Sequence, residues 1–124
     1  MAPRKVLMDT FFDQLLTFLG ELSAMYPDDP DFALGITSIR MMRPVNPGLI
    51  PSVFYDSSKA FESEILTKNE KFFLDHSFQE FGGGVDFNLL SKLKQYVQSM
   101  SDSSKTNVWV YIQNLYRLSK AISG

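Results

Sequence analysis

The sequence predicts an all-α protein, a compact single-domain bundle of five to seven helices in which the C-terminal helix is central. Apolar residues recur at spacings of three and four through most of the chain, which is the period of an amphipathic helix. Prolines and capping residues divide the chain into helix-length segments, and no two strand patterns are joined by a hairpin signal. The 124 residues, 44% of them hydrophobic, are typical of one domain, which we place at residues 1–124.

The first helix is predicted over residues 10–25, with Asp9 or Thr10 as its cap. Its apolar positions form one broad stripe: Phe11, Phe12, Leu15, Leu16, Phe18, Leu19 and Leu22. The prolines and acidic residues of 26–31 end this helix, and Asp29 followed by Pro30 begins another. We expect the second helix to end at Met42, because the residue before a proline disfavours helical geometry.

The middle of the chain predicts several short helices. Asn46-Pro47 begins a third helix that reaches Tyr55, with Pro51 in its first turn. Residues 56–58 can cap a fourth segment. The capping-box pattern Thr67-x-x-Glu70 then divides this segment into two short helices.

Glycine marks the strongest break in the second half, where residues 82–85 are predicted to form a flexible loop inside the domain. Asp86 then caps a helix, and the polar run 101–106 introduces the last one. Taken alone, Val108–Ile112 favours a strand, but apolar residues continue at helical spacing to Ile122. These residues cover much of the circumference, which is why we expect the C-terminal helix to lie between other helices.

The residue types exclude several kinds of chemical site. The sequence has no cysteine, and its one histidine, His76, cannot form a three-histidine or His-Glu-x-x-His metal centre. The acidic residues of 26–31 lack the glycine and distal glutamate of a calcium loop, and the glycines at 82–84 are not followed by Lys-Ser or Lys-Thr, as a phosphate-binding loop requires. We therefore predict no catalytic, metal or cofactor-binding residues. An enzyme centred on His76 is the least favoured alternative.

Charge is unevenly distributed along the chain. Residues 32–55 carry two basic and no acidic side chains, and residues 87–124 carry five basic and one acidic, whereas residues 1–31 and 56–86 are acidic. We expect internal ion pairs between these blocks. The alternative is a nucleic-acid-associated factor that uses the basic C-terminal third, with candidate contacts at Lys92, Lys94 and Lys105.

A surplus of large apolar side chains points to protein–protein contact. The chain has 11 Phe, 5 Tyr, 6 Met and 1 Trp, and both Met and Arg are enriched at interfaces. The candidate interaction surface is Arg40-Met41-Met42-Arg43 near the end of the second helix. We expect a viral or host protein partner and a homo-oligomer.

Membrane insertion and secretion are not expected. The longest uninterrupted apolar run is Val108–Ile112, far below the roughly 20 residues that cross a bilayer. Near the start, Asp9 interrupts the apolar stretch before it reaches the length of a secretory signal.

The order of several motifs resembles a family of short, mostly uncharacterised helical proteins of nucleocytoplasmic large DNA viruses, the marseilleviruses in particular. The motifs are Met25-Tyr26-Pro27-Asp28-Asp29, Asn46-Pro47-x-x-Ile50, Ile65 with Asn69-Glu70-Lys71-Phe72-Phe73-Leu74, and Trp109-x-x-Ile112-x-x-Leu115-x-x-Leu118. The resemblance implies a small all-α viral protein without enzymatic activity, packaged in the virion or held in the viral factory of the host cytoplasm. It supplies no catalytic residues.

Overall fold

The computed structural model describes residues 3–75 and 89–123, and within these ranges all regular structure is helical. The elements are α1 (Arg4–Met25), α2 (Pro30–Val45), α3 (Leu49–Ser58), a 3₁₀ turn (Lys59–Phe61), α4 (Glu62–Leu66), α5 (Glu70–Asp75), α6 (Leu89–Val97) and α7 (Asp102–Ser123). The predicted all-α fold class is confirmed. His76, the predicted loop at 82–85 and the cap Asp86 lie outside the described residues.

Helix α1 begins at Arg4, earlier than the sequence predicts. Asp9 and Thr10, predicted as caps, are instead interior residues whose side chains find partners one turn earlier. The Asp9 carboxylate accepts a hydrogen bond from Lys5 at 3.2 Å, and the Thr10 hydroxyl donates to the Val6 carbonyl at 2.8 Å. A polar side chain that is satisfied in this way does not mark the start of a helix.

Helix α2 is capped as predicted but ends later than predicted. The Asp29 carboxylate accepts a hydrogen bond at 3.0 Å from the backbone N–H two residues on. The helix continues through Pro44 to Val45, so the predicted end at Met42 is wrong. A proline in the last turn of a helix lacks only its own backbone N–H donor, so one hydrogen bond is lost. The Asn46 N–H still donates to the Met42 carbonyl at 2.8 Å and completes the turn.

Helix α3 carries Pro51 in its first turn, as predicted. The polar residues 56–58, predicted to cap a new segment, form its last turn instead. The hydroxyls of Ser57 and Ser58 both donate hydrogen bonds to the Phe54 carbonyl, so these side chains bond to the backbone of α3 and not to that of the next segment. The chain therefore passes from α3 into the 3₁₀ turn and α4 without a capped break.

The predicted division into two short helices is confirmed, but a different residue makes the second cap. The Asn69 side chain accepts a hydrogen bond at 3.0 Å from the Phe72 N–H, whereas the Thr67 hydroxyl donates back into α4 at Ser63. Between the two helices Lys68 adopts a φ of 56°, the left-handed conformation that commonly ends a helix. Asn69 is therefore the true start signal for α5.

Helix α7 lies at the centre of the fold, as predicted, and packs against α1, α3 and α4. Its strand-like segment is helical, and Trp109, Leu115 and Tyr116 are all buried. The Phe18 ring of α1 stacks on Tyr111 of α7, with centroids 4.6 Å apart. Helix α2 packs mainly on α1 and contacts α3 to a lesser extent, so one long side of α2 faces outward.

Candidate functional site

Several basic side chains that sequence analysis singled out form ion pairs within the chain. Lys105 lies 3.0 Å from a Glu70 oxygen, and Lys120 lies 2.6 Å from a Glu62 oxygen. Arg43 is helical, contrary to the prediction; it lies 3.0 Å from Asp9, with its guanidinium 4.7 Å above the ring of Phe12. The predicted internal pairing of acidic and basic blocks is confirmed at these positions.

The most extensive polar cluster joins α6 to the start of α2. The Lys92 ammonium lies 2.7 Å from a carboxylate oxygen of Asp29 and 2.7 Å from one of Asp31, and its side chain is only 13% exposed. The Tyr96 hydroxyl donates a hydrogen bond to the same Asp29 oxygen, and its ring stacks on Tyr26 with centroids 4.0 Å apart. We call Asp29, Asp31, Lys92 and Tyr96 the polar clamp.

The clamp is held in its charged form by its own hydrogen bonds. Those from Lys92 and Tyr96, with the backbone N–H of Asp31, lower the pKa of Asp29 to about 2. Burial opposes the charge on Lys92, but its two carboxylate partners outweigh burial and raise its pKa. The hydrogen bond to Asp29 raises the pKa of Tyr96. Because these groups satisfy one another, the clamp fastens α6 to the α1–α2 turn.

We expect the clamp to contribute stability that is lost in acid. The pKa of Asp29 in the folded protein, about 2, lies below its ordinary value of 3.8. Its contribution to the free energy of unfolding is therefore complete above pH 3.8 and is lost as the pH falls through about 2. In Asp29→Asn the amide keeps the helix cap but removes the charge. Urea unfolding from pH 7 to pH 2 should show a wild-type advantage that shrinks steadily below about pH 4.

Asp13→Asn, at an exposed site in α1, is the matched control and should follow the wild-type profile. Parallel stability profiles for wild type and Asp29→Asn across this pH range would contradict a charged clamp.

The structure separates the four residues of the predicted interaction surface. Arg40 is exposed, and Met41 is 70% exposed. Met42 is half-buried against the core, and Arg43 turns to α1. The segment therefore presents Arg40 and Met41 to solvent on different sides of α2.

Two residues that the sequence pattern did not single out share a face with Met41. Leu34 is 61% exposed and Val45 is 79% exposed. At about 100° per residue, Leu34, Met41 and Val45 lie within roughly 40° of one another around the helix. The signal in the sequence is their spacing: Met41 follows Leu34 by seven residues and Val45 follows Met41 by four, on a side of the helix away from its core stripe. Together with exposed Thr37 and Ser38 they form what we call the α2 outer face.

Between Leu34 and Val45 the α2 outer face contains no charged side chain. Asp31, one turn before Leu34 on the same side of the helix, pairs with Lys92. The Thr37 hydroxyl donates to the Ala33 carbonyl at 3.1 Å, so covering it leaves its donor paired. Phe32 and Ile39 lie on the opposite side of the helix and are buried in the core. Helix α2 is thus anchored by one side and offers an uncharged, apolar side to solvent.

Other features of the described residues offer little chemistry. An open groove beside residues 26–30 is lined in part by the rings of Tyr26 and Tyr96 and by Asp29 of the clamp. A second open cleft lies between Arg4, Tyr55 and Ile122. Within residues 3–75 and 89–123, no group of three or more acidic, histidine or cysteine side chains could hold a metal ion. No helix in the same ranges has both the length and the apolar character required to cross a membrane.

No protein-family model matches this chain, and no curated protein or solved structure matches it either.

Proposed function

We propose that this chain is a non-enzymatic interaction protein that binds another polypeptide through the α2 outer face. The observation that carries the proposal is the exposure of Leu34, Met41 and Val45, between 61% and 79%, along one uncharged side of a single helix. The proposal includes the setting that the resemblance implies, a structural or interaction protein of a large DNA virus, in the virion or the viral factory.

Exposed apolar residues are ordinary when they are isolated, but a contiguous patch is typical of an interaction site. Val6 and Val110 are examples of isolated exposure, at 50% and 43%, and they lie on different helices. The α2 outer face differs because its three large side chains follow one another along one side. Methionine at its centre adapts to the shape of a partner, which supports a docking role for Met41.

The electrostatics of the face also favour protein contact. Burying a charge without a partner is costly, and the α2 outer face requires no such burial. The nucleic-acid alternative receives less support, because Lys92 and Lys105 already pair with carboxylates of this chain, and Lys94 also has an interaction partner. Phosphate binding would have to compete with these internal contacts.

The test introduces charge on the face. In Leu34→Glu with Met41→Glu, the face variant, two carboxylates would have to be desolvated on binding, so we expect capture of polypeptide partners from infected or host cells to fall at least about tenfold. Affinity capture with quantitative mass spectrometry measures this loss.

The matched control is Val6→Glu with Val110→Glu, which adds the same charge at isolated exposed apolar sites. It should capture the same polypeptides as wild type, and circular dichroism should show the same helix content in all three proteins. Equal capture by the face variant would overturn the proposal, and so would a result in which no polypeptide, another copy of this chain included, is captured with any of them.

A further inference from the structure

We propose that the occupant of the α2 outer face is a second copy of this chain, with the two α2 helices antiparallel about a two-fold axis that crosses the stripe midway between Ser38 and Met41. This inference rests on the proposed function, since it names the partner of the same face. A two-fold interface requires a surface that is complementary to itself. The α2 outer face meets this requirement in shape and in charge.

Shape complementarity follows from the order of large and small residues along the helix. When two α2 helices run antiparallel about the middle of the stripe, Leu34 of one copy lies beside Val45 of the other. Met41 of each copy then lies over Ser38 of the other, a large side chain against a small one. A parallel pair would instead place Met41 against Met41 and leave Ser38 facing Ser38, which packs less well.

Charge also favours the antiparallel orientation. The turn before α2 and its first residues carry exposed Asp28 and Asp31, and residues 32–55 contain no acidic side chain. An antiparallel pair keeps the acidic starts of the two helices at opposite ends of the interface, and it also opposes the two helix dipoles. A parallel pair would bring like charges together. The formal net charge of −2 adds only weak repulsion between copies.

The size of the face predicts a weak, reversible dimer. From Leu34 to Val45 the stripe is about 17 Å long at 1.5 Å per residue. An interface built on one such stripe lies at the low end of the size range, below the roughly 800 Å² per partner of a stable complex. We therefore expect association with a Kd in the micromolar range, which requires a concentration series to detect.

Sedimentation equilibrium on the purified chain tests the stoichiometry. The wild type and the Val6→Glu, Val110→Glu control should move from 14.1 kDa toward twice that mass as concentration rises into the high micromolar range. The face variant should remain at 14.1 kDa. A wild type that stays monomeric, or a dimer that persists in the face variant, would overturn the inference.

Disulfide cross-linking tests the orientation, because the sequence contains no cysteine and each introduced thiol is therefore unique. Ser38→Cys should link to its counterpart, because the two positions lie on either side of the two-fold axis and only about 5 Å apart along the helix direction. Leu34→Cys alone should not link to itself, because the antiparallel arrangement separates the two positions by roughly 17 Å along the axis. Leu34→Cys combined with Val45→Cys should link. Efficient self-linking of Leu34→Cys would overturn the antiparallel arrangement.

The two proposals fail in different ways. A monomeric wild type that still captures another polypeptide, with loss of capture in the face variant, would overturn the second copy and leave the proposed function standing. A wild type that neither dimerises nor shows face-dependent capture would overturn both.

Discussion

Replacement of Phe18 with alanine is expected to lower the free energy of unfolding by about 3–5 kcal/mol. Phe18 is 1% exposed, and its ring lies nearly parallel to that of Tyr111, at 12°, where α1 meets the central α7. Truncation removes the apolar burial and leaves a cavity between two 22-residue helices, which cannot easily collapse. Urea unfolding at pH 7 measures the loss, which is a large part of the roughly 5–15 kcal/mol available to a domain.

The matched control is Val6→Ala in the same helix, where the side chain is 50% exposed. Its free energy of unfolding should lie within about 0.5 kcal/mol of wild type. A loss below about 1 kcal/mol for Phe18→Ala would mean that the α1–α7 contact is not part of the core.

Gln113→Glu is expected to cost about 1–3 kcal/mol at neutral pH. Gln113 is 8% exposed, and its side-chain amide donates to the carbonyls of Ile65 and Leu66, both at 3.2 Å, at the end of α4. Glutamate has the same shape, but its ionised carboxylate has no hydrogen to donate and would face two carbonyl oxygens. The orphaned helix-end carbonyls and the buried charge both destabilise the folded state.

This destabilisation should depend on pH with a definite sign. Burial and the facing carbonyls should raise the folded pKa of the introduced carboxyl above its ordinary value of about 4.3. Its protonated form can donate a hydrogen bond, so the stability gap to wild type should narrow as pH falls through the raised folded pKa. Urea unfolding between pH 8 and pH 4 provides the measurement.

Two controls isolate the effect. Gln113→Leu removes the donors without adding a titratable group, so it should be destabilised by an amount that does not change with pH relative to wild type. Gln98→Glu, at an exposed position, should match wild-type stability closely. A gap for Gln113→Glu that stays constant across this pH range would contradict the hydrogen-bonded role of Gln113.

Hydrophobic period and proline placement predicted most of the fold. The α7 stripe was sufficient to reject the strand preference of Val108–Ile112, and Asp29 before Pro30 predicted the start of α2 correctly. The errors fall at helix ends, where Asp9 and Pro44 carried misleading local signals. Asp9 pairs with Arg43, 34 positions away in sequence, and a local pattern cannot reveal such a contact.

The candidate site was predicted only in part. The sequence predicted Arg40 and Met41 as surface residues but not Leu34 and Val45, because a helical spacing of seven and four does not by itself show which side of a helix stays exposed. Lys92 was predicted as a candidate nucleic-acid contact, yet its side chain is only 13% exposed and pairs with Asp31, which is 61 positions away in sequence.

By itself, the sequence determined that this chain is helical, where most of its helices lie and which stripes form the core, because helix period and apolar burial are properties of neighbouring residues. Only the tertiary structure decided which charges are paired and which apolar side of α2 is left uncovered. Both depend on how distant helices pack. The polar clamp and the α2 outer face exist because α1, α3 and α6 contact α2 from some sides and not from others.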